Sequence, residues 1–224
     1  VVIGEAEGDV KDVFVHKAEE VGTSLFFAED TYKLTPTSEG FACEQYPSLE
    51  VQLKGLYQQK NVATVLTAVD RLRERGFDIQ DDALLNGLKH VVDLTGLMGR
   101  WQILQKNPTM VCDTGHNEAG IRFIVQQLSK QKYTRLHIVF GMVNDKDIST
   151  VLSLLPQNAI YYFTQAAIPR AMEASKLRDL AQKFNLHGKI FASVASAVDA
   201  AKQAANEDDL IYIGGSTFVV AEAI

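Results

Sequence analysis

Residues 111–120, VCDTGHNEAG, set a carboxylate, an imidazole and a carboxamide within five positions, directly after an apolar run that stops at Asp113. A carboxylate only accepts hydrogen bonds, an amide both accepts and donates, and an imidazole can take up or release a proton. Such a set suits a polar ligand whose protons must be held or moved. Asp113 and Asn117 also have a second reading, as caps of the turn and of the helical pattern that follows. The first backbone N–H groups of that helix favour an anion in either case.

Softer candidates stand at the ends of other apolar runs. Lys146, between Asp145 and Asp147, offers an ammonium to an anion after RLHIVFG, although either aspartate explains the motif equally well as a helix cap. Arg170, in AIPRAM just past another strand end, offers a guanidinium to a carboxylate. Ser216 and Thr217 follow DLIYIGG and open a helix, which presents hydroxyl and backbone donors. His16, His90, His137 and His187 are scattered without metal-ligand spacing and read as structural or surface residues, so no metal site is expected. Cys112 lies inside an apolar strand and reads as an inert core thiol. Cys43 and Cys112 form neither a disulfide framework nor a C-x-x-C pair, which points to a reducing compartment and a cytoplasmic protein.

The elements that must position these residues differ between two halves. From Met98 the chain alternates apolar strands (TMVCD, RLHIVFG, AIYYFTQ, KIFAS, DLIYIGG) with helical patterns (GIRFIVQQLSKQ, DISTVLSLL, SKLRDLAQKF, SAVDAAKQAA). Near-continuous apolar strands between helices mean a mostly parallel sheet covered on both faces, a doubly wound, Rossmann-like α/β fold, whose ligands bind at the carboxyl ends of the strands. Asp113 stands at such an end. Residues 1–97 read instead as the tail of a mixed α/β domain. They hold a short strand at Val1–Gly4, a helix near Val10–Val21 and β-prone segments broken by Pro36, Gly40 and Pro47. A helix carrying Val62, Val65, Leu66, Val69 and Leu72 ends at Gly76, and another runs from Asp81–Asp82 to about Val92. Charge divides at the same place: residues 1–97 carry a net −8 and residues 98–224 a net +2. The expected domains are therefore 1–97 and 98–224.

The acidic total of −6 and the lack of Lys/Arg clusters argue against a nucleic-acid or membrane surface, and no apolar run approaches the ~20 residues a membrane span requires. A monomer is expected. The opening Val1-Val2-Ile3-Gly4-Glu5 lacks an initiator methionine and begins in mid-strand character, so the chain reads as a fragment. Neither the dinucleotide fingerprint G-x-G-x-x-G after a strand nor the phosphate loop G-x-x-x-x-G-K-[ST] occurs.

Five segments, in order, carry a family resemblance. LKGLYQQKNVATVL resembles the L-x-G-x-H-Q-x-x-N-A segment of the folylpolyglutamate synthase and dihydrofolate synthase family, ATP-dependent amide ligases related to the Mur ligases. MGRWQIL resembles its P-G-R segment, DTGHNE its D-G-A-H-N-P signature, GMVNDKD its G-x-x-x-D-K-D, and IGGSTFVVAEAI its closing G-S segment. VVIGE is similar to the piece that follows the family's modified-lysine segment. The resemblance thus makes residues 1–97 the end of the central ATPase domain and 98–224 the carboxyl-terminal domain. The phosphate loop and the Mg2+ ligands would lie upstream, and the fragment alone would be inactive.

The resemblance implies that ATP phosphorylates a carboxylate of folate or dihydropteroate, and that the amine of L-glutamate attacks the acyl phosphate. Positioned cations and backbone donors serve such steps. It implies that Asn61 contacts adenine, Arg100 grips phosphates with a planar fork, and Asp113 accepts from the ribose hydroxyls. His116 would face the γ-phosphate and the incoming amino acid as the catalytic residue. Lys146, Arg170 and Ser216 would serve the substrate. Departures are Tyr57 for the family histidine, Met98 for proline, and Thr114, Gly115 and Glu118 within the signature. The alternatives are a Mur-like ligase with another acceptor, such as a peptidoglycan precursor, and a non-catalytic nucleotide-binding module.

Overall fold

The computed structural model describes residues 1–144 and 148–224, so Lys146 lies outside the described residues. The chain forms two compact units, Val1–Leu97 and Met98–Ile224. Among the described residues no helix is long and apolar enough to cross a membrane.

The first unit runs β1 (Val2–Ile3), α1 (Gly8–Glu20), β2 (Phe26–Phe27), α2 (Ala28–Thr31), β3 (Thr35–Pro36), β4 (Gly40–Ala42), β5 (Leu49–Glu50), α3 (Gln58–Glu74), α4 (Asp81–Lys89) and α5 (Val91–Thr95). β1 and β2 pair in parallel, and β3, β4 and β5 form an antiparallel sheet. Its core gathers Tyr32, Leu34, Phe41, Leu49, Val51, Val62, Leu66 and Leu84. Val62 and Leu66 stand one turn apart and turn one stripe of α3 inward, while Val65 and Leu72 remain exposed. Burying each such side chain stabilises the unit by roughly 1.5–3 kcal/mol. The helix expected to reach Val92 ends at Lys89 instead. His90 leaves the helical region at φ −123°, and the chain restarts as α5, which Gly96 stops in the left-handed conformation.

The second unit runs β6 (Gln102–Lys106), β7 (Thr109–Cys112), α6 (Glu118–Ser129), β8 (Leu136–Phe140), α7 (Ile148–Leu154), β9 (Ile160–Phe163), α8 (Ala174–Gln182), β10 (Gly188–Ile190), α9 (Val194–Ala204), β11 (Leu210–Gly214) and α10 (Thr217–Ala223). Its six-stranded sheet has the order β10-β9-β8-β11-β7-β6. All neighbours are parallel except β6, an antiparallel edge strand absent from the sequence expectation.

Side chains alternate between the faces with the period of two that a pleated strand imposes. Val111, Ile138, Phe140, Tyr161, Phe163 and Tyr212 pack under α6, α7 and α8, while Cys112, Val139, Tyr162, Ile211 and Ile213 pack under α9 and α10. The chain winds from β8 outward to β10, then returns through α9 so that β11 enters between β8 and β7. That reversal places the carboxyl ends of β7, β11 and β8 side by side. The Asp113 N–H donates to the Ile213 carbonyl at 3.1 Å, and the Gly141 N–H to the Gly214 carbonyl at 3.3 Å.

Candidate functional site

At the carboxyl end of β7 the apolar strand hands over to a carboxylate that is almost fully enclosed. Asp113 is 1% exposed. One of its oxygens accepts the backbone N–H of Trp101 and the other that of Gly115, each at 2.8 Å. One side chain therefore ties the segment before β6 to the loop after β7. A second tie runs beside it: Thr114 donates its N–H to the Gly99 carbonyl at 2.9 Å, and the Thr114 hydroxyl accepts from the Arg100 guanidinium. Gly99 must be glycine here, since its φ is +72° and a Cβ would stand 2.7 Å from Thr114 Cγ2.

Arg100 is exposed and sits between two left-handed residues, because Trp101 also has a positive φ of 47°. A bulky residue in that region costs roughly 1–3 kcal/mol, so the surrounding contacts must over-determine it. They do. The Trp101 indole is 6% exposed, belongs to the main core and stacks on Tyr212 at 6.4 Å between centroids.

His116 is exposed on the same loop. Its Nδ1 lies 3.1 Å from the Thr114 carbonyl. A carbonyl only accepts, so Nδ1 carries the proton, and in the neutral ring Nε2 is left with a free lone pair. Asn117 caps α6, its side chain accepting the Gly120 N–H at 2.9 Å, so the capping reading holds for Asn117. The same unit brings two further candidates to the sheet edge. Ser216 caps α10 by accepting the Phe218 N–H at 3.2 Å and is only 3% exposed, and the Arg170 guanidinium lies 4.8 Å from the centre of the Phe218 ring. Gly215 joins this turn to β11 at φ +90°, where a Cβ would meet the Phe140 ring at 2.5 Å.

Asn61 belongs to the first unit, on the exposed side of the first turn of α3, and donates to Gln58 Oε1 at 2.9 Å. Among the described residues no group of three His, Cys, Asp or Glu side chains converges to hold a metal ion. Cys112 is wholly buried, and burial, helped by the neighbouring Asp113 charge, pushes its thiol up to about 12.

Two residues here escaped sequence reasoning. Trp101 gave no signal beyond its place next to Arg100, and Thr114 stood out only as a departure from a motif. At the opposite edge of the sheet, sequence spacing likewise concealed a buried network. His137 Nδ1 lies 2.9 Å from the Tyr162 hydroxyl and Nε2 3.4 Å from Asp209 Oδ2, while Arg135 approaches the same carboxylate oxygen at 2.8 Å. Burial raises Asp209, but the Arg135 guanidinium, the Asn206 N–H and His137 outweigh it and hold the carboxyl at about 2. The carboxylate therefore accepts from Nε2–H, and the Tyr162 hydroxyl donates to Nδ1.

Known proteins resemble the chain over its length. The Escherichia coli K12 protein named dihydrofolate synthase/folylpolyglutamate synthase is 29% identical over 227 residues, covering 100% of this chain and 50% of that protein. A probable bifunctional folylpolyglutamate synthase/dihydropteroate synthase of Haloferax volcanii is 29% identical over 176 residues, covering 78% of this chain and 20% of that protein. The chain thus spans half or less of the length of these relatives. A solved structure of E. coli FolC in complex with DHPP and ADP superposes with a TM-score of 0.79 at 26% identity, over 100% of this chain and 51% of that one. Residues 99–217 match the family described as Mur ligase, glutamate ligase domain, and the match covers more than half of the 224 residues. The chain belongs to the Mur ligase family, with its glutamate ligase domain in the second unit.

Proposed function

We propose that this chain is part of an ATP-dependent amide ligase that adds L-glutamate to folate or dihydropteroate. The observation that carries the reading is the pair of ties, through Asp113 and Thr114, that fixes Arg100 and the His116 loop at one strand edge, within a chain whose relatives bear folylpolyglutamate and dihydrofolate synthase names. In this reading ATP supplies the phosphoryl group that activates a carboxylate. The exposed Arg100 guanidinium spends one donor on Thr114 and keeps its other N–H groups for phosphate oxygens, a planar fork suited to two at once. With Nδ1 turned to the Thr114 carbonyl, His116 Nε2 is the ring nitrogen that takes a proton from the attacking amine.

Asp113 acts in this scheme by holding both segments. The ribose contact implied by the resemblance would have to reach a carboxylate that is only 1% exposed. Asn61 is assigned to adenine, and Arg170 and Ser216 to a substrate carboxylate, with the Ser216 hydroxyl already engaged as a cap. Residues 1–97 are assigned to the end of the ATPase domain. Mg2+ belongs to the proposed reaction, and among the described residues no group of three His, Cys, Asp or Glu side chains converges to hold it.

The test is an acceptor panel on the full-length protein, measuring ATP-dependent incorporation of labelled glutamate into dihydropteroate, reduced folates and an unrelated Mur-type acceptor. Incorporation into a pteroate or folate supports the reading. Incorporation only into the Mur-type acceptor, or none, overturns it.

A further inference from the structure

We infer that Trp101 is a positioning residue for Arg100: the packing of its indole holds the left-handed turn that presents the guanidinium beside the 113–117 loop. The inference rests on the proposed nucleotide role of Arg100. Trp101 is the only tryptophan of the chain, and its backbone lies at φ +47°, where a large aromatic side chain is disfavoured. Strain of this kind persists only where several contacts enforce it, and it clusters at sites that need a fixed geometry.

Three contacts enforce it here. The Trp101 N–H is held by Asp113 Oδ2 at 2.8 Å, the indole stacks on Tyr212, and the Tyr212 hydroxyl reaches the Asp113 carbonyl at 3.4 Å. Aromatic ring, strand β11 and loop carboxylate therefore close a ring of contacts around the turn. On the other side of Arg100, the Gly99 N–H is held by Gln102 Oε1 at 2.8 Å and its carbonyl by Thr114. Arg100 is thus the exposed middle of a turn whose two flanks are anchored in the unit. A core position alone does not ask for this backbone. An indole could fill the same volume from an ordinary extended segment, but the segment would then carry Arg100 in another direction.

The experiment is a double-mutant cycle on kcat/KM for ATP in the full-length protein, with Trp101→Ala, Arg100→Ala and the double variant, and with Trp101→Phe as the conservative control. All are assayed at a temperature where melts show each variant folded. If Trp101 works through Arg100, Trp101→Ala lowers kcat/KM about tenfold or more, since small displacements of a positioning group carry large kinetic costs. The same substitution changes it less than about twofold once Arg100 is already alanine, the non-additivity expected of coupled residues. Trp101→Phe, which keeps a ring on Tyr212, restores most of the activity. Equal losses in both backgrounds overturn the inference, as does a Trp101→Ala variant with wild-type kinetics beside an impaired Arg100→Ala. An Arg100→Ala variant with unchanged kinetics is a different pattern: it removes the nucleotide role of Arg100 first, and this inference with it. Should Trp101→Ala not fold, Trp101→Leu, which keeps apolar volume without a ring, is read by the same criteria.

Discussion

His137 Nε2 stands 3.4 Å from Asp209 Oδ2 with both side chains wholly enclosed, so a titratable pair is built into the amino-terminal edge of the sheet. Burial lowers the His137 pKa, with the Arg135 charge acting in the same direction, and the Asp209 carboxylate opposes this only in part.

The consequence is a pH dependence of stability. A histidine whose pKa is depressed on folding takes up its proton in the unfolded chain first. Its contribution is therefore intact above about pH 6.5 and declines as pH falls below that value, by at most about 1.4 kcal/mol per pH unit. Thermal melts between pH 8 and 5 are expected to show this decline in the wild type and to lose it in His137→Gln. An equal decline in the variant would remove the assignment.

Asp209 acts in a separate, more acidic window. Its folded pKa of about 2 lies below the ordinary 3.8, so its contribution is present above pH 4 and is lost as pH falls through 3.8 toward 2. The amount at stake is about 2 kcal/mol. Denaturant titrations at pH 5 and pH 2.5, on wild type and Asp209→Asn, are expected to show a clearly smaller difference at the lower pH, and an equal difference at both would contradict the assignment.

Asp113→Asn tests the tie between the two segments. The amide must face one of the two backbone N–H groups with its own NH2, so at least one buried donor loses its partner, at a cost of about 1–3 kcal/mol. Denaturant unfolding measures this directly. Unchanged stability would mean that the carboxylate is not the tie described above.

Most of the second unit was legible because its central strands, such as β8 and β11, are buried on both faces. TMVCD and DLIYIGG show apolar runs too short for helices and bounded by turn residues, and the reading of a covered parallel sheet needs nothing more. β6 was not legible. QILQK reads polar-apolar-apolar-polar-polar and so shows no period of two, and its antiparallel pairing with β7, whose register shifts between Ile103 and Gln105, is fixed by tertiary contacts rather than by composition. The DTGHNE loop announced itself by a strand that stops at a carboxylate. What that carboxylate does was hidden, because it depends on the turn at Trp101, 12 positions away in sequence. The same holds for Tyr162, His137 and Asp209, separated by 25 and 72 positions and joined only by the winding of the sheet. In the first unit, the break at His90 escaped notice because apolar spacing continues across it while the backbone does not.

Cys112 is expected to be inert. With no exposure and a pKa pushed up to about 12, it presents almost no thiolate at pH 8. Alkylation of the native protein followed by peptide mapping is expected to modify the partly exposed Cys43 and to spare Cys112 until denaturant is added. Rapid native modification of Cys112 would contradict the enclosed strand.

The most direct test of the proposed site is steady-state kinetics in ATP for the full-length protein and its Arg100→Ala and Arg100→Lys variants, beside their thermal melts. If the guanidinium holds phosphate oxygens, alanine removes a charge-assisted hydrogen bond worth roughly 1.5–3 kcal/mol, which is about 10- to 150-fold in kcat/KM. Lysine recovers part of it, since it keeps the charge without the fork. The melts shift little, because an exposed substitution usually stays within about 0.5 kcal/mol. Unchanged kinetics in Arg100→Ala, or a loss matched by unfolding, would contradict the assignment of this strand edge to the nucleotide.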